Sequence, residues 1–176
     1  MYKLELQCHP STPSAAVERI DVSFTGMSGS TLTICYAATG TLARLRVPQP
    51  CVSRRADALW RHTCCELFIA ATDATAYSEF NFSPSSEWAA YEFDSYRQGM
   101  RPLSLPHPPR ITVTSSESQW SMNASVECDV VPAGAMLAFC VVTEEADGRL
   151  SYWALAHPPG KPDFHHADGF AFRLPV

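Results

Sequence analysis

Residues 64–70 read Cys64-Cys65-Glu66-Leu67-Phe68-Ile69-Ala70, and residues 77–82 read Tyr77-Ser78-Glu79-Phe80-Asn81-Phe82. In the second stretch Phe80 and Phe82 fall on one side of an extended chain and Tyr77, Glu79 and Asn81 on the other, the two-residue period of a strand. Extension of the first sends Cys65, Leu67 and Ile69 to one side and Cys64, Glu66, Phe68 and Ala70 to the opposite side. Two helices compete on local signals, one over 56–71 and one capped by Ser86 and running through Trp88, Tyr91 and Ser95. A helix through Cys64, Cys65, Leu67, Phe68 and Ile69 would turn some of these apolar groups to solvent, so both stretches read mainly as strands.

The same alternation extends in both directions. Tyr2, Leu4, Leu6 and Cys8 alternate with Lys3, Glu5 and Gln7; Ile20, Val22 and Phe24 follow, then Leu32, Ile34 and Tyr36. Ala43, Leu45 and Val47 oppose Arg44 and Arg46, and later come Trp120 to Cys128, the more apolar run Met136 to Val142, Leu150 to Leu155, and Phe170, Phe172 and Leu174. Gly26 to Gly29 and Asp147-Gly148 are turn signals, the second suited to a hairpin. Pro102 to Pro109 and Pro158 to Pro162 are loops or edges, because Pro lacks the donor that a sheet ladder needs. Roughly ten short strands with little helical periodicity predict an all-β, two-sheet antiparallel β-sandwich. The 176 residues form one domain, 1–176, with no linker or repeat.

Thirteen basic residues against eighteen acidic ones give a net charge of −5, and Lys3 and Lys161 are the sole lysines. Nucleic acid is thereby disfavoured as a partner, since phosphate binding needs clustered positive charge. No run approaches the roughly 20 apolar residues of a membrane span, and the strand-like start, Met1 to Cys8, does not resemble a secretion signal. A cytoplasmic location is expected. The seven cysteines show no metal-binding spacing and read as buried free thiols. Sequons at Asn81 and Asn123 are chance matches in a chain that is not exported.

Glu66 stands in the middle of an apolar strand, with Glu79 and Asn81 as expected neighbours on one side, Arg44 or Arg46 on the other, and Glu127 on a further strand. A solvated sheet face would explain these charges as ordinary cross-strand pairs. The rings Trp60, Phe68, Tyr77, Trp88, Tyr91 and Trp153 lie close to them in sequence and suggest an aromatic-walled site with a few fixed polar groups. A pyranose stacks its C–H face on indole while its hydroxyls meet carboxylate, amide and guanidinium groups. The segment His157 to Asp168 is stiffened by Pro and dense in titratable groups, the character of a functional loop. Its spacing does not match a zinc motif, so no metal site is assigned.

The block Leu59-Trp60-Arg61-His62-Thr63-Cys64-Cys65-Glu66-Leu67-Phe68-Ile69, the block Tyr77 to Tyr91, and the end Tyr152-Trp153-Ala154-Leu155-Ala156-His157 through Phe170 resemble DOMON-like domains related to family 9 carbohydrate-binding modules, in a bacterial subgroup. The resemblance covers most of the chain. It implies a jelly-roll-like sandwich whose relatives bind sugars or haem. In the sugar-binding relatives two Trp side chains clamp a terminal sugar; Trp153 could match one, and Trp60 or Trp88 the other. Calcium occurs in those relatives, but no close acidic cluster stands here. The haem-binding relatives use Met and His ligands; Met27, Met100, Met122 and Met136 with His157 form no recognisable motif, so no cofactor is expected.

The expected function is therefore non-catalytic binding of a carbohydrate or sugar-like metabolite by Trp60, Arg61, Glu66, Glu79, Asn81, Trp88, Trp153, His157, Asp163 and His165. A protein-interaction or structural module, with open strand edges and a homo-oligomer as its partner, is the alternative. An enzyme would use Glu66 with Glu79, or His157 with Asp163, as acid and base.

Overall fold

The computed structural model describes residues 1–25, 30–127 and 131–175. Its strands are β1 (Tyr2–Cys8), β2 (Val17–Phe24), β3 (Thr31–Gly40), β4 (Cys64–Ala70), β5 (Tyr77–Phe82), β6 (Trp88–Phe93), β7 (Arg101–Pro102), β8 (Arg110–Ser115), β9 (Gln119–Glu127), β10 (Met136–Glu144), β11 (Leu150–Ala154) and β12 (Phe172–Arg173). Neighbours run in the order β7-β6-β5-β4-β10-β11-β1-β2-β3-β9-β8, with β12 beside β10. β1 belongs to both layers: Tyr2 to Leu6 pair with β2, and Gln7 and Cys8 pair with β11. The sheet folds over along that strand into a two-layer, jelly-roll-like antiparallel sandwich.

Between the layers Cys65, Leu67 and Ile69 of β4 and Phe80 and Phe82 of β5 meet Ile20, Val22, Ile34 and Tyr36 of the opposite layer. Full burial of each large side chain contributes about 1.5–3 kcal/mol. The Tyr36 hydroxyl crosses the core and donates to the backbone oxygen of Glu66 at 2.9 Å, so the buried phenol is satisfied and the middle of β4 is tied to the far layer.

The outer face of β4, β5, β6 and β10 is covered as well. Cys64, Phe68, Tyr77, Tyr91, Phe93, Ala138 and Cys140 form a second buried cluster, closed by Leu59 and Phe164. This double burial explains why β4 and β10 lack simple apolar–polar alternation: both of their faces are inside. The opposite layer keeps a polar outer face, where Thr33 and Ser125, and Thr114 and Ser121, join hydroxyls across strands at 2.9 and 2.8 Å.

The Asp147-Gly148 hairpin forms between β10 and β11, with Gly148 at φ +88°, a conformation that glycine adopts without steric cost. Residues 59–61 form a 3-10 turn rather than a strand, and β4 and β6 follow as strands. The strand expected over Ala43, Leu45 and Val47 is replaced by a 3-10 turn at Leu42–Arg44, because Leu42 is the group that packs into the inter-layer core. At the C-terminal end only Phe172 and Arg173 pair, with Leu137 and Met136. The expected turn at Gly26 to Gly29, and Met27 and Cys128, lie outside the described residues. Among the described residues no helix is long and apolar enough to cross a membrane.

Candidate functional site

Strand register builds the site. Glu66 lies opposite Asn81 on β5 and Cys140 on β10, while Glu79 lies opposite Phe68. Glu66 and Glu79 are thus diagonal neighbours on the outer face, at a spacing of about 7–8 Å between backbones that long side chains span. Both line a cavity of about 670 Å³, an ordinary size for a small-ligand pocket. Its floor is Glu66, Glu79 and Val142; its walls include Trp60, Phe93, Tyr152, Phe164 and His165; Ser11, Thr12, Arg97, Met100, Lys161 and Pro162 complete it.

Glu66 is 3% and Glu79 4% exposed. Asn81, fully buried, donates from Nδ2 to Glu79 Oε1 at 2.6 Å. Glu66 Oε1 is sealed from solvent and has no hydrogen-bond partner. Burial, then the nearby Glu79, push the Glu66 carboxyl well above the ordinary carboxylate range, with Arg97 opposing. Burial raises Glu79 to about 6, against the Asn81 hydrogen bond and Arg97. The floor therefore holds two carboxyl groups whose protonated forms are favoured by burial, Glu66 more strongly than Glu79.

His165 forms the wall beside them. The Arg97 backbone N–H donates to the Tyr77 hydroxyl at 3.2 Å, and that hydroxyl reaches His165 Nδ1 at 2.8 Å. With its oxygen accepting from Arg97, Tyr77 is placed to give its own hydrogen to Nδ1, the arrangement that puts the ring hydrogen on Nε2, 3.8 Å from Glu79 Oε2. Burial, then Arg97, lower His165 to about 4, so the ring is neutral at pH 7. Asp163 holds the segment in place: it accepts from Arg97 at 2.8 Å, from the Tyr96 hydroxyl at 2.6 Å and from the His165 backbone at 3.1 Å. Burial pushes its carboxyl up, but these bonds prevail and hold it below its ordinary value.

Trp60 stands at the mouth, 37% exposed, with its ring edge-on to Tyr91 at 6.3 Å. Tyr91 is fixed in turn by donating to Asp57 at 2.6 Å. Among the described residues the exposed large apolar side chains are Met1, Val52, Trp60, Tyr96 and Met100. Trp60 and Met100 border the large cavity, and Tyr96 borders an adjoining apolar cavity of about 420 Å³ that shares His165. Three of these five side chains thus border the two cavities.

Five of the expected residues meet here: Trp60, Glu66, Glu79 and His165 line the cavity and Asn81 supports its floor. Asp163 braces the wall through Arg97. The other four do not. Trp88 and Trp153, 7% and 4% exposed, sit in the inter-layer core because β6 and β11 turn those positions inward. Arg61 points away at the end of its 3-10 turn and is absent from the lining. His157 Nε2 bonds the Gln7 backbone oxygen at 2.8 Å, and its ring packs edge-on to His9 at 4.8 Å, outside both cavities.

The expected charged neighbours of Glu66 are corrected too. Arg46 pairs with Glu144 at 2.6 Å, and Glu127 pairs with His107 in the other layer. Arg97, Tyr152, Phe93 and Phe164 escaped the sequence reading. Arg97 carries no motif and sits in a positive-φ turn, φ +55°, that no local signal marks. Among the described residues no group of three His, Cys, Asp or Glu side chains could hold a metal ion.

No protein-family model and no curated protein matches the chain. Among solved structures, a protein of Bacteroides uniformis described as a candidate carbohydrate-binding protein matches with a TM-score of 0.68 at 12% identity, over 99% of this chain and 84% of that one. A family 9 carbohydrate-binding module of Caldicellulosiruptor kristjanssonii, solved with glucose, matches with a TM-score of 0.49 at 12% identity, over 85% of this chain and 72% of that one. At such identity the first likeness establishes the fold alone.

Proposed function

We propose that this chain binds a sugar or sugar-like small molecule, without transforming it, in the cavity between Trp60 and the Glu66/Glu79 floor. One observation carries the reading: an accessible indole and two buried carboxyl groups open onto the same hollow of about 670 Å³. A pyranose ring offers an apolar face for Trp60 and hydroxyls that both give and take hydrogen bonds, which suits a floor of two buried carboxyl groups. The Bacteroides uniformis protein of the same fold is described as carbohydrate-binding, and that supports the choice of ligand class. Free thiols at Cys8, Cys35, Cys51, Cys64, Cys65 and Cys140 support a reducing, cytoplasmic setting.

Calorimetric titration with simple sugars tests the proposal. Saturable binding that Trp60→Ala abolishes while the fold persists is the expected result. Absence of heat with every neutral, acidic and amino sugar would remove the sugar reading. Turnover of a chromogenic glycoside that Glu66→Gln abolishes would replace binding with hydrolysis.

A further inference from the structure

We infer that the cavity selects a ligand carrying a primary ammonium group, seated between the side chains of Glu66 and Glu79. Together with the sugar reading above, on which the ring part of the inference rests, this makes the ligand an amino sugar.

The argument begins with unmet acceptors. Among the described residues the Glu66 carboxyl makes no hydrogen bond, and although its Oε1 is sealed, Glu66 lines the cavity. Glu79 Oε1 is taken by Asn81, but Oε2 faces only His165 Nε2 at 3.8 Å, beyond hydrogen-bond reach. A floor built for neutral hydroxyls alone would gain little from a second carboxyl left without a partner. An ammonium group brings three donors and a compensating charge to carboxyl oxygens that the protein leaves open.

The surrounding charges point the same way. Facing the floor are Tyr77 from β5, Cys64 from β4, Cys140 from β10, Tyr152 from β11, Arg97 after β6, and Lys161, Asp163 and His165 from the C-terminal segment. Burial raises the two thiols and the Tyr152 phenol, so these stay neutral at neutral pH. The Tyr77 phenol is raised likewise, and His165 is uncharged. Arg97 pairs with Asp163 at 2.8 Å, which offsets part of the positive charge that it brings to the floor. Lys161 is exposed at the mouth, where water screens it, whereas the two carboxyl groups are desolvated at the bottom. An anion reaching the floor would meet both acids, and a cation meets what they lack. Trp60 and Tyr152 line the same cavity and offer rings to the rest of the ligand.

Proton accounting supplies a distinctive signature. Burial raises the Glu66 carboxyl in the free protein, and an adjacent –NH₃⁺ favours its carboxylate, so ligand binding lowers that value and drives proton release to the buffer, at most one per ligand bound. Affinity accordingly rises with pH until the amine itself deprotonates.

The test is calorimetry at pH 6.5, where the glucosamine amine is protonated, with glucosamine, glucose, N-acetylglucosamine and cyclohexylamine, each in two buffers of different ionisation enthalpy. The expected result is a preference for glucosamine over glucose and N-acetylglucosamine of about tenfold or more, the scale of a charge-assisted bond, with proton release seen for glucosamine alone among the sugars. Glu66→Gln removes the preference and the proton release while circular dichroism shows the fold intact. Equal or tighter binding of glucose overturns the ammonium inference and leaves the sugar reading standing. Binding of cyclohexylamine with no sugar bound removes the sugar reading and leaves the ammonium inference standing. No binding by any of the four compounds removes both.

Discussion

The Tyr77 hydroxyl and His165 Nδ1 are 2.8 Å apart, and the same hydroxyl accepts from the Arg97 backbone, which leaves it placed to donate its hydrogen to the imidazole. One phenol therefore fixes the tautomer of a wall residue and anchors the C-terminal segment over β5. Tyr77→Phe removes the donor and leaves Nδ1 without one. The expected cost is about 1 kcal/mol in urea unfolding, the net worth of one intramolecular hydrogen bond. Nitrogen-15 NMR of the imidazole should show the Nδ1–H tautomer gaining population. An unchanged tautomer ratio would mean that the segment is held by Asp163 and Arg97 alone.

Glu66 ties stability to pH in a direction opposite to that of a salt-bridged carboxylate. Its folded-state value lies well above the ordinary 4.5, so the folded protein retains a proton that the unfolded chain releases. Stability is then full below about pH 4.5 and declines as pH rises through the folded value. Glu79, raised to about 6, acts in the same sense between 4.5 and about 6. His165, lowered from 6.5 to about 4, acts oppositely and removes stability as pH falls through that interval. Glu66→Gln deletes only the first contribution. The melting temperature of the variant relative to the wild type should increase from pH 4 to pH 8; a constant difference would show that Glu66 titrates normally.

The sequence disclosed most of the strands, though not β7 or β8, and the two faces of β4, since Cys65, Leu67 and Ile69 do enter the inter-layer core while Glu66 looks the other way. That division follows from local alternation, which needs no tertiary knowledge. It could not disclose which Trp faces which layer, because Trp88 and Trp153 are placed by sheet register and not by their neighbours in sequence. Nor could it bring Arg97 and Tyr152 to Glu66, since long-range folding of the turn after β6 and pairing of β10 with β11 set those positions. His157 misled for a similar reason: a titratable group in a Pro-stiffened loop looked functional, yet its Nε2 is spent on the Gln7 backbone.

The cysteines divide by burial. Cys64, Cys65 and Cys140 are enclosed, and burial holds their thiols well above the ordinary range, so the nucleophilic thiolate is scarce. Cys51 is exposed, and Cys8 and Cys35 are half-buried with raised values caused by burial. Iodoacetamide labelling of the native protein at pH 8, read by peptide mass spectrometry, should modify Cys51 first and Cys64, Cys65 and Cys140 only once the protein is unfolded. Early modification of Cys64 would mean that the cavity opens far enough to expose the strand behind it.

Trp60 and Trp153 provide the sharpest separation of site from scaffold. Trp153 belongs to the inter-layer core and lies opposite Val141 of β10 and Cys8 of β1 at the strand where the two layers meet. Truncating it to Ala leaves a large void and should cost about 3–5 kcal/mol. Trp60 stands on a short 3-10 turn with much of its ring in solvent, and its principal ring contact is the edge of Tyr91. Trp60→Ala should cost about 1 kcal/mol or less. Denaturant unfolding of the two variants checks the stability difference, and titration of the Trp60 variant with the ligand that wild type binds checks its role. If Trp60→Ala retains full affinity, the indole does not form part of the binding wall and the ligand must rest on Tyr152 and Phe93 instead.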